Sequence, residues 1–416
     1  MPVITLQPGG NVLSNMSGVL SATRFGVSPS ASPTNNANNL QAWATALGEI
    51  AETNHSGIIG HIPPGRYDVN NGFVLPDITT GPLSIDARGA IIRLIGTDPN
   101  ISVISTPKPS SASNAEDTND KRDRWEINGL RLIGNTASGT RGLELNAVSR
   151  LVLRGVQVSH FSEGIRARFC LHLRITDRSL FWACSDYGVR VEADGSLDSW
   201  SGWSPANSAS NGTIIDGGTR FLGSVNQAAQ LRIAHSSCLI SDCTFEGGNP
   251  EINFDYKSAN TSILGMDFRN CWMENSPTEA HVQIDTIHDA SVDFQYANQT
   301  SSPYIKVVDA SSIVVGRPGY VTGSHALFET PMGDTFSGSA TRWIFLPQSY
   351  HAGVDPTQAA LWVDGRLPKA VYADGVFPSG EASSYVFMSG YSSRIDNLNF
   401  SQGKLRTGTT IIGTQT

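Results

Sequence analysis

Gly142-Leu-Glu-Leu145, Gly164-Ile-Arg-Ala167 and Gly188-Val-Arg-Val191 are one tetrapeptide written three times, at offsets of 22 and 24 residues. Each copy runs glycine, apolar, charged, apolar. Period-two alternation buries one face of a strand, and its regular return places one such strand in each structural repeat. Gln230-Leu-Arg-Ile233, Glu251-Ile-Asn-Phe254, His281-Val-Gln-Ile284 and Tyr304-Ile-Lys-Val307 continue the series at offsets of 42, 21, 30 and 23. Residues 195–212 have a polar, turn-rich loop composition. Without those 18 residues the offset of 42 becomes 24. Seven strands then keep register and align Leu143/Leu145, Ile165/Ala167, Val189/Val191, Leu231/Ile233, Ile252/Phe254, Val282/Ile284 and Ile305/Val307 as an inward column.

A second family of strands repeats with the first. Ser241-Asp-Cys-Thr-Phe-Glu246 and Arg269-Asn-Cys-Trp-Met-Glu274 align 28 residues apart, which places Gly218, Asp242 and Asn270 at one corner position. Gly, Asn and Asp tolerate the left-handed backbone of a sharp corner. A lone short strand cannot bury its face, so stacked rungs must share a core and the end rungs need caps. The pattern predicts an all-β chain, a single-stranded right-handed parallel β-helix with an N-terminal capping helix and a C-terminal β-rich domain.

The 416 residues carry a formal charge of −8, with 39% apolar residues and 41 glycines. That balance fits a turn-rich β protein and gives no basic face for general nucleic-acid binding. The first Lys or Arg is Arg24, so no signal-peptide n-region is visible, and no apolar run reaches membrane-spanning length. The five cysteines form no C-x-x-C pair, and Cys243 and Cys271 fall at equivalent inward positions, as free core thiols would. The nine histidines show no zinc spacing, so no metal and no cofactor is expected.

Residues 1–38 are Gly-, Ser- and Pro-rich and read as an extended arm. Leu40, Trp43, Ala44, Leu47 and Ile50 form the stripe of an amphipathic helix over residues 39–52, placed to cap the first rung. The coil then spans residues 39–319, with residues 106–124 as a polar loop leaving it. After Arg317-Pro-Gly319 the register is expected to break. Strand-like pieces at Thr341–Leu346, Ala359–Val363, Ala370–Phe377 and Ser384–Met388 suggest a separate β-rich domain over residues 320–416.

Helix, then Ser56-Gly-Ile-Ile-Gly-His-Ile-Pro-Pro-Gly-Arg-Tyr67, then repeated rungs, resembles the N-terminal half of the pectate-lyase-like β-helix superfamily, in particular its bacteriophage tailspikes. The resemblance spans roughly residues 24 to 320. It implies a homotrimer on a virion tail, made in the host cytoplasm, that recognises and depolymerises a bacterial surface polysaccharide such as capsule, O-antigen or exopolysaccharide. The N-terminal arm would join a tail component. The polygalacturonase signatures Asn-Thr-Asp, Asp-Asp, Gly-His-Gly and Arg-Ile-Lys are missing, so the resemblance carries over no catalytic residues.

Glu246 to Glu251 and Glu274 to Glu279 are copied loops with a Glu at both ends, and Asp255 and Asp285 end the next strands. Glu246 would stack on Glu274, with Asp255 near, as a paired-carboxylate site for glycoside hydrolysis. The alternative is a set of solvated turn residues. The outward column Glu144, Arg166, Arg190, Arg232, Asn253, Gln283 and Lys306 suggests Arg166, Arg190 and Arg232 as a groove for an acidic glycan, or for the proton-abstracting base of a lyase. It equally suits a ladder neutralised by carboxylates such as Glu163 and Glu192. Trp200 and Trp203 in the insertion could stack on sugar rings or anchor the loop. A non-catalytic virion protein or adhesin that uses the coil as a rigid glycan-binding rod is the rival to the depolymerase. A secreted lyase is a third possibility.

Overall fold

A computed structural model describes residues 18–54, 58–77, 82–107, 122–192, 210–223, 229–234, 237–247 and 265–274, together with strands between Ile252 and Thr414. Each coil holds three short strands. Arg141–Asn146, Val152–Arg154 and Gln157–Ser159 make one coil, and Glu163–Arg168, Arg174–Thr176 and Leu180–Trp182 make the next. Successive coils pair in parallel on all three faces, here termed sheets I, II and III. On sheet I, Leu143 faces Ile165, which faces Val189, which faces Leu231. On sheet II, Leu153 faces Ile175, which faces Ile215. On sheet III, Val158 faces Phe181, then Phe221, then Phe245. The chain is a right-handed parallel β-helix, and the pairing of Arg190 with Arg232 shows that the insertion leaves the register intact.

Alternation makes the core. The inward residues of the three sheets are almost fully buried, and equivalent positions stack along the axis. Phe181 and Phe221 lie 5.1 Å apart, and Phe221 and Phe245 lie 4.7 Å apart with rings inclined by only 5°. At the corner between sheets II and III, Gly155, Asp177, Gly218, Asp242 and Asn270 all adopt left-handed φ between 54° and 74°. The equivalence expected of Gly218, Asp242 and Asn270 is therefore observed, and Asn270 Nδ2 donates to Asp242 Oδ1 of the previous rung. All five cysteines are buried free thiols. Burial in apolar surroundings pushes the Cys170 and Cys184 thiols up to about 12.

The capping helix spans Pro33–Asn54 and so starts six residues before the predicted 39. Ser32 Oγ accepts the amide of Asn35 at 3.2 Å and Pro33 occupies the first turn, where its missing N–H costs nothing. Asn36, fully buried, accepts the Ser28 amide and donates to the carbonyls of Ser28 and Asp68. This polar Ser/Pro/Asn run thus builds a helix start where composition suggests an arm. Val19–Ser21 already pairs with Ile58–His61, so residues 18–38 belong to the cap, while residues 1–17 lie outside the described residues. Gln41 closes the open edge of sheet I, accepting the Val74 amide at 2.8 Å and donating to its carbonyl at 3.2 Å. Trp43 is fully buried and donates Nε1–H to the Leu20 carbonyl at 3.0 Å. Its ring lies where a Cβ on Gly60 would approach to 2.6 Å, so helix and first rung meet closely.

Parallel pairing does not stop at residue 319. Tyr296 pairs with Tyr320, Ser312 with Arg342 and Trp343 with Val371. The four expected strand pieces occur as Arg342–Phe345, Leu361–Asp364, Val371–Gly375 and Tyr385–Ser389, each in a parallel pair with a neighbouring strand. The step of 30 residues from Ser312 to Arg342 equals that from Ile252 to Val282 within the coil, so longer turns hide the repeat without ending it. Among the described strands, pairing turns antiparallel between Lys404–Thr407 and Thr410–Thr414. The loop expected at 106–124 lies mostly outside the described residues, but Arg122 at its end is fully buried and holds the carbonyls of Pro107 and Asn146 with Nη1.

Replacing Trp43 by Ala removes the largest fully buried side chain of the helix. It is expected to cost about 3–5 kcal/mol, measured as a lowered midpoint in urea unfolding followed by circular dichroism.

Candidate functional site

The outer face of sheet I carries the arginine column. Glu144, Arg166, Arg190, Arg232, Asn253, Gln283 and Lys306 face one another in that order on successive rungs. Like charges do not meet unscreened there. Glu192 binds Arg166 in a bidentate pair at 3.0 and 3.1 Å, Arg168 at 3.0 Å and Arg190 at 2.7 Å. Glu163 binds Arg141 at 3.0 Å and Arg190 at 2.9 Å. Glu144 accepts Ser102 Oγ at 2.6 Å and lies 3.6 Å from both Arg141 and Arg168. Arg166, Arg168, Glu163 and Glu192 are all at least nine-tenths buried. Arg232 donates to the Tyr187 hydroxyl at 3.2 Å, and Arg190 and Arg232 both lie over the Tyr187 ring. Carboxylates from the strand ends therefore interleave with the guanidiniums, and Arg166 and Arg190 form a neutralised ladder rather than a groove lined with available cations.

From Trp182 onward, the outward residues of sheet III are partly or fully exposed. Ser159, Trp182, Leu222, Glu246 and Glu274 occupy one outward position on five successive rungs. Gln157, Leu180, Arg220, Thr244 and Trp272 occupy the position beside it. The expected stacking of Glu246 on Glu274 is thus the observed register. Arg220 Nη2 lies 3.5 Å from Glu246 Oε1, and Trp272 donates Nε1–H to Glu274 Oε2 at 3.1 Å. Adjacent rungs lie about 4.8 Å apart, close to the roughly 5–5.5 Å that separates the carboxyls of retaining glycosidases. Trp182 and Trp272 are 46% and 38% exposed, unusual for indoles. His160 meets Trp182 edge to face at 5.0 Å.

Asp255, Glu251, Glu279, Trp200 and Trp203 lie outside the described residues. The strand Ile252–Phe254 that precedes Asp255 belongs to sheet I, a different face from Glu246 and Glu274. Among the described residues no group of three or more His, Cys, Asp or Glu could hold a metal, and no helix is long and apolar enough to cross a membrane. Trp182 and Trp272 are not among the site residues expected from the sequence, yet alternation gives the signal. Phe181 and Met273 are inward, so their neighbours point out.

The two faces predict opposite responses to charge removal. Glu192→Gln breaks a buried network and is expected to cost roughly 3–5 kcal/mol. Glu274→Gln on the open face is expected to change stability by about 0.5 kcal/mol or less. Paired thermal melts check both.

Sequence comparison matches no family model and no curated relative. Several solved structures are similar in fold. The mannuronan C-5 epimerase A-module of Azotobacter vinelandii superposes with a TM-score of 0.60 at 14% identity, over 93% of this chain and 99% of that one. A surface adhesin of Streptococcus pneumoniae superposes at 0.53 and 9% identity over 96% of each chain. ORF18 of Geobacillus virus E2 superposes at 0.51 and 12% identity, over 86% of this chain and 61% of that one. At these identities the likeness is one of fold, the parallel β-helix.

Proposed function

We propose that the chain is a tailspike-like receptor-binding protein of a virion tail that binds a bacterial surface polysaccharide and hydrolyses it on sheet III. The observation that carries this reading is the in-register pair Glu246 and Glu274 on a face that also presents the exposed indoles of Trp182 and Trp272. Glu246, with the Arg220 guanidinium 3.5 Å away, takes the role of nucleophile. Glu274, the carboxyl on the next rung, takes the role of proton donor. Glu274 would protonate the glycosidic oxygen as the bond to the anomeric carbon breaks, while a Glu246 oxygen bonds to that carbon. Water, deprotonated by Glu274, would then release the sugar from Glu246 with retained configuration. Similar folds in a viral protein and in an enzyme named for mannuronan agree with this reading without deciding it.

A second reading is a non-catalytic adhesin. It is favoured by the pneumococcal adhesin, which shares the fold along the whole length, and by the bonds that already engage both carboxylates. Reducing ends separate the two. Wild-type protein is expected to release them from purified surface polysaccharide, and the double variant Glu246→Gln, Glu274→Gln to lose about 10²–10⁴-fold of that rate. Full activity in the double variant would remove sheet III from the chemistry.

The oligomeric part of the proposal is a homotrimer. Light scattering on the purified chain is expected to give three times the monomer mass of 44.5 kDa. A monomer at all accessible concentrations would count against a trimeric spike.

A further inference from the structure

We infer that the polymer taken by sheet III is an uncharged polysaccharide lying along the coil axis, held at its two ends by the indoles of Trp182 and Trp272. This rests on sheet III being the glycan site proposed above, and adds the class of glycan and the direction in which it lies.

The direction follows from register. Leu222 is one rung beyond Trp182, Glu246 is two, and Glu274 and Trp272 are three. At about 4.8 Å per rung, the two indoles are about 14 Å apart along the axis. Glu246 lies within that span and Glu274 stands beside Trp272 on its last rung, so a chain stacked on both indoles passes Glu246 and reaches Glu274. A sugar bound across the strands would meet one indole alone. The site accordingly reads several residues of a polymer.

Both indoles have a protein partner, although exposed. His160 packs its ring edge to face on Trp182 at 79°, and Glu274 accepts the Trp272 N–H. An apolar platform fixed before binding loses little rotamer entropy when a flat sugar face stacks on it. The residues between the platforms, among them Arg220, Thr244 and Glu246, carry the polar groups that hydroxyls need. The charged centre argues against a protein partner, because interface cores are depleted in acidic residues.

Charge fixes the class. Among the described sheet III residues from the rung of Trp182 to that of Trp272, the charged groups are Glu246, Glu274 and Arg220, which lies against Glu246. On sheet I, Arg166, Arg168 and Arg190 are turned to Glu144, Glu163 and Glu192 and are largely buried, and Arg232 bonds the Tyr187 hydroxyl. The chain as a whole carries −8. A polyanion would meet like charge at the site, whereas a neutral glycan meets hydrogen-bonding groups and stacking faces.

Affinity electrophoresis tests this in native gels cast with neutral polymers (dextran, galactomannan or mannan) or anionic ones (hyaluronan or alginate). Wild type is expected to be retarded in at least one neutral gel and in neither anionic gel. Trp182→Ala and Trp272→Ala are each expected to weaken that retardation tenfold or more with unchanged thermal melts, since both side chains lie at the surface. Retardation by an anionic gel, neutral retardation untouched by both variants, or no retardation in any gel would overturn the inference. So would a loss of oligomer mass in the variants with retardation intact, which would make the indoles a protein contact. The two proposals fail separately. If the neutral polymer retards the protein through the indoles but releases no reducing ends, the hydrolase reading falls and the neutral track stands. If wild type cleaves an anionic polymer, the reverse holds.

Discussion

Parallel pairing between successive rungs is the interaction on which everything else in this molecule depends. A strand of three to six residues, such as Val152–Arg154 or Glu163–Arg168, has neither enough backbone bonds nor enough apolar surface to persist alone. Its N–H and C=O groups are satisfied by the coil before and the coil after, and its inward side chains pack on their equivalents there. Stability is then a sum over neighbouring rungs, and the first rung lacks one neighbour. The helix Pro33–Asn54 supplies it with a buried Trp43 and with Gln41, whose amide bonds the free edge as another strand would.

Stacking also forces each residue to live beside its own equivalent. In the core this is favourable, and Phe181, Phe221 and Phe245 form a column of nearly parallel rings. At the corner it selects Gly, Asp and Asn for a backbone that other residues adopt at a cost. On sheet I it brings arginine over arginine, a repulsion that the fold removes by turning Glu144, Glu163 and Glu192 into the same column. Those carboxylates are themselves buried, so the network holds one arrangement of the strand ends and tolerates no missing partner.

Sheet III uses the same rule to a different end. A repeated position there produces a straight row of outward groups at even spacing, a geometry that matches a linear polymer better than a small ligand. Because the strands beneath are rigid and paired on both sides, the carboxylates and indoles need no rearrangement to present that row. Rod and binding surface are thus one structure, which agrees with the appearance of this fold in proteins with names as different as an epimerase and an adhesin.

Much of this was legible in the alternation. The inward residues of sheet I, the loop that interrupts their spacing, the left-handed corner and the facing of Glu246 on Glu274 all follow from period two and a constant offset. The start of the helix was not, since Ser32, Pro33 and Asn36 act through caps and a distant carbonyl of Asp68. Nor was the continuation past residue 319, because turns of varying length conceal a repeat that strand pairing preserves. The sequence by itself determined which side chains point inward and which point outward, since that depends only on local backbone geometry. Only the tertiary structure decided that outward Arg166 is buried among carboxylates while outward Trp182 and Glu274 meet solvent. An outward position's surroundings are set by groups from strand ends and other rungs, distant in sequence, and a repeat spacing does not encode them.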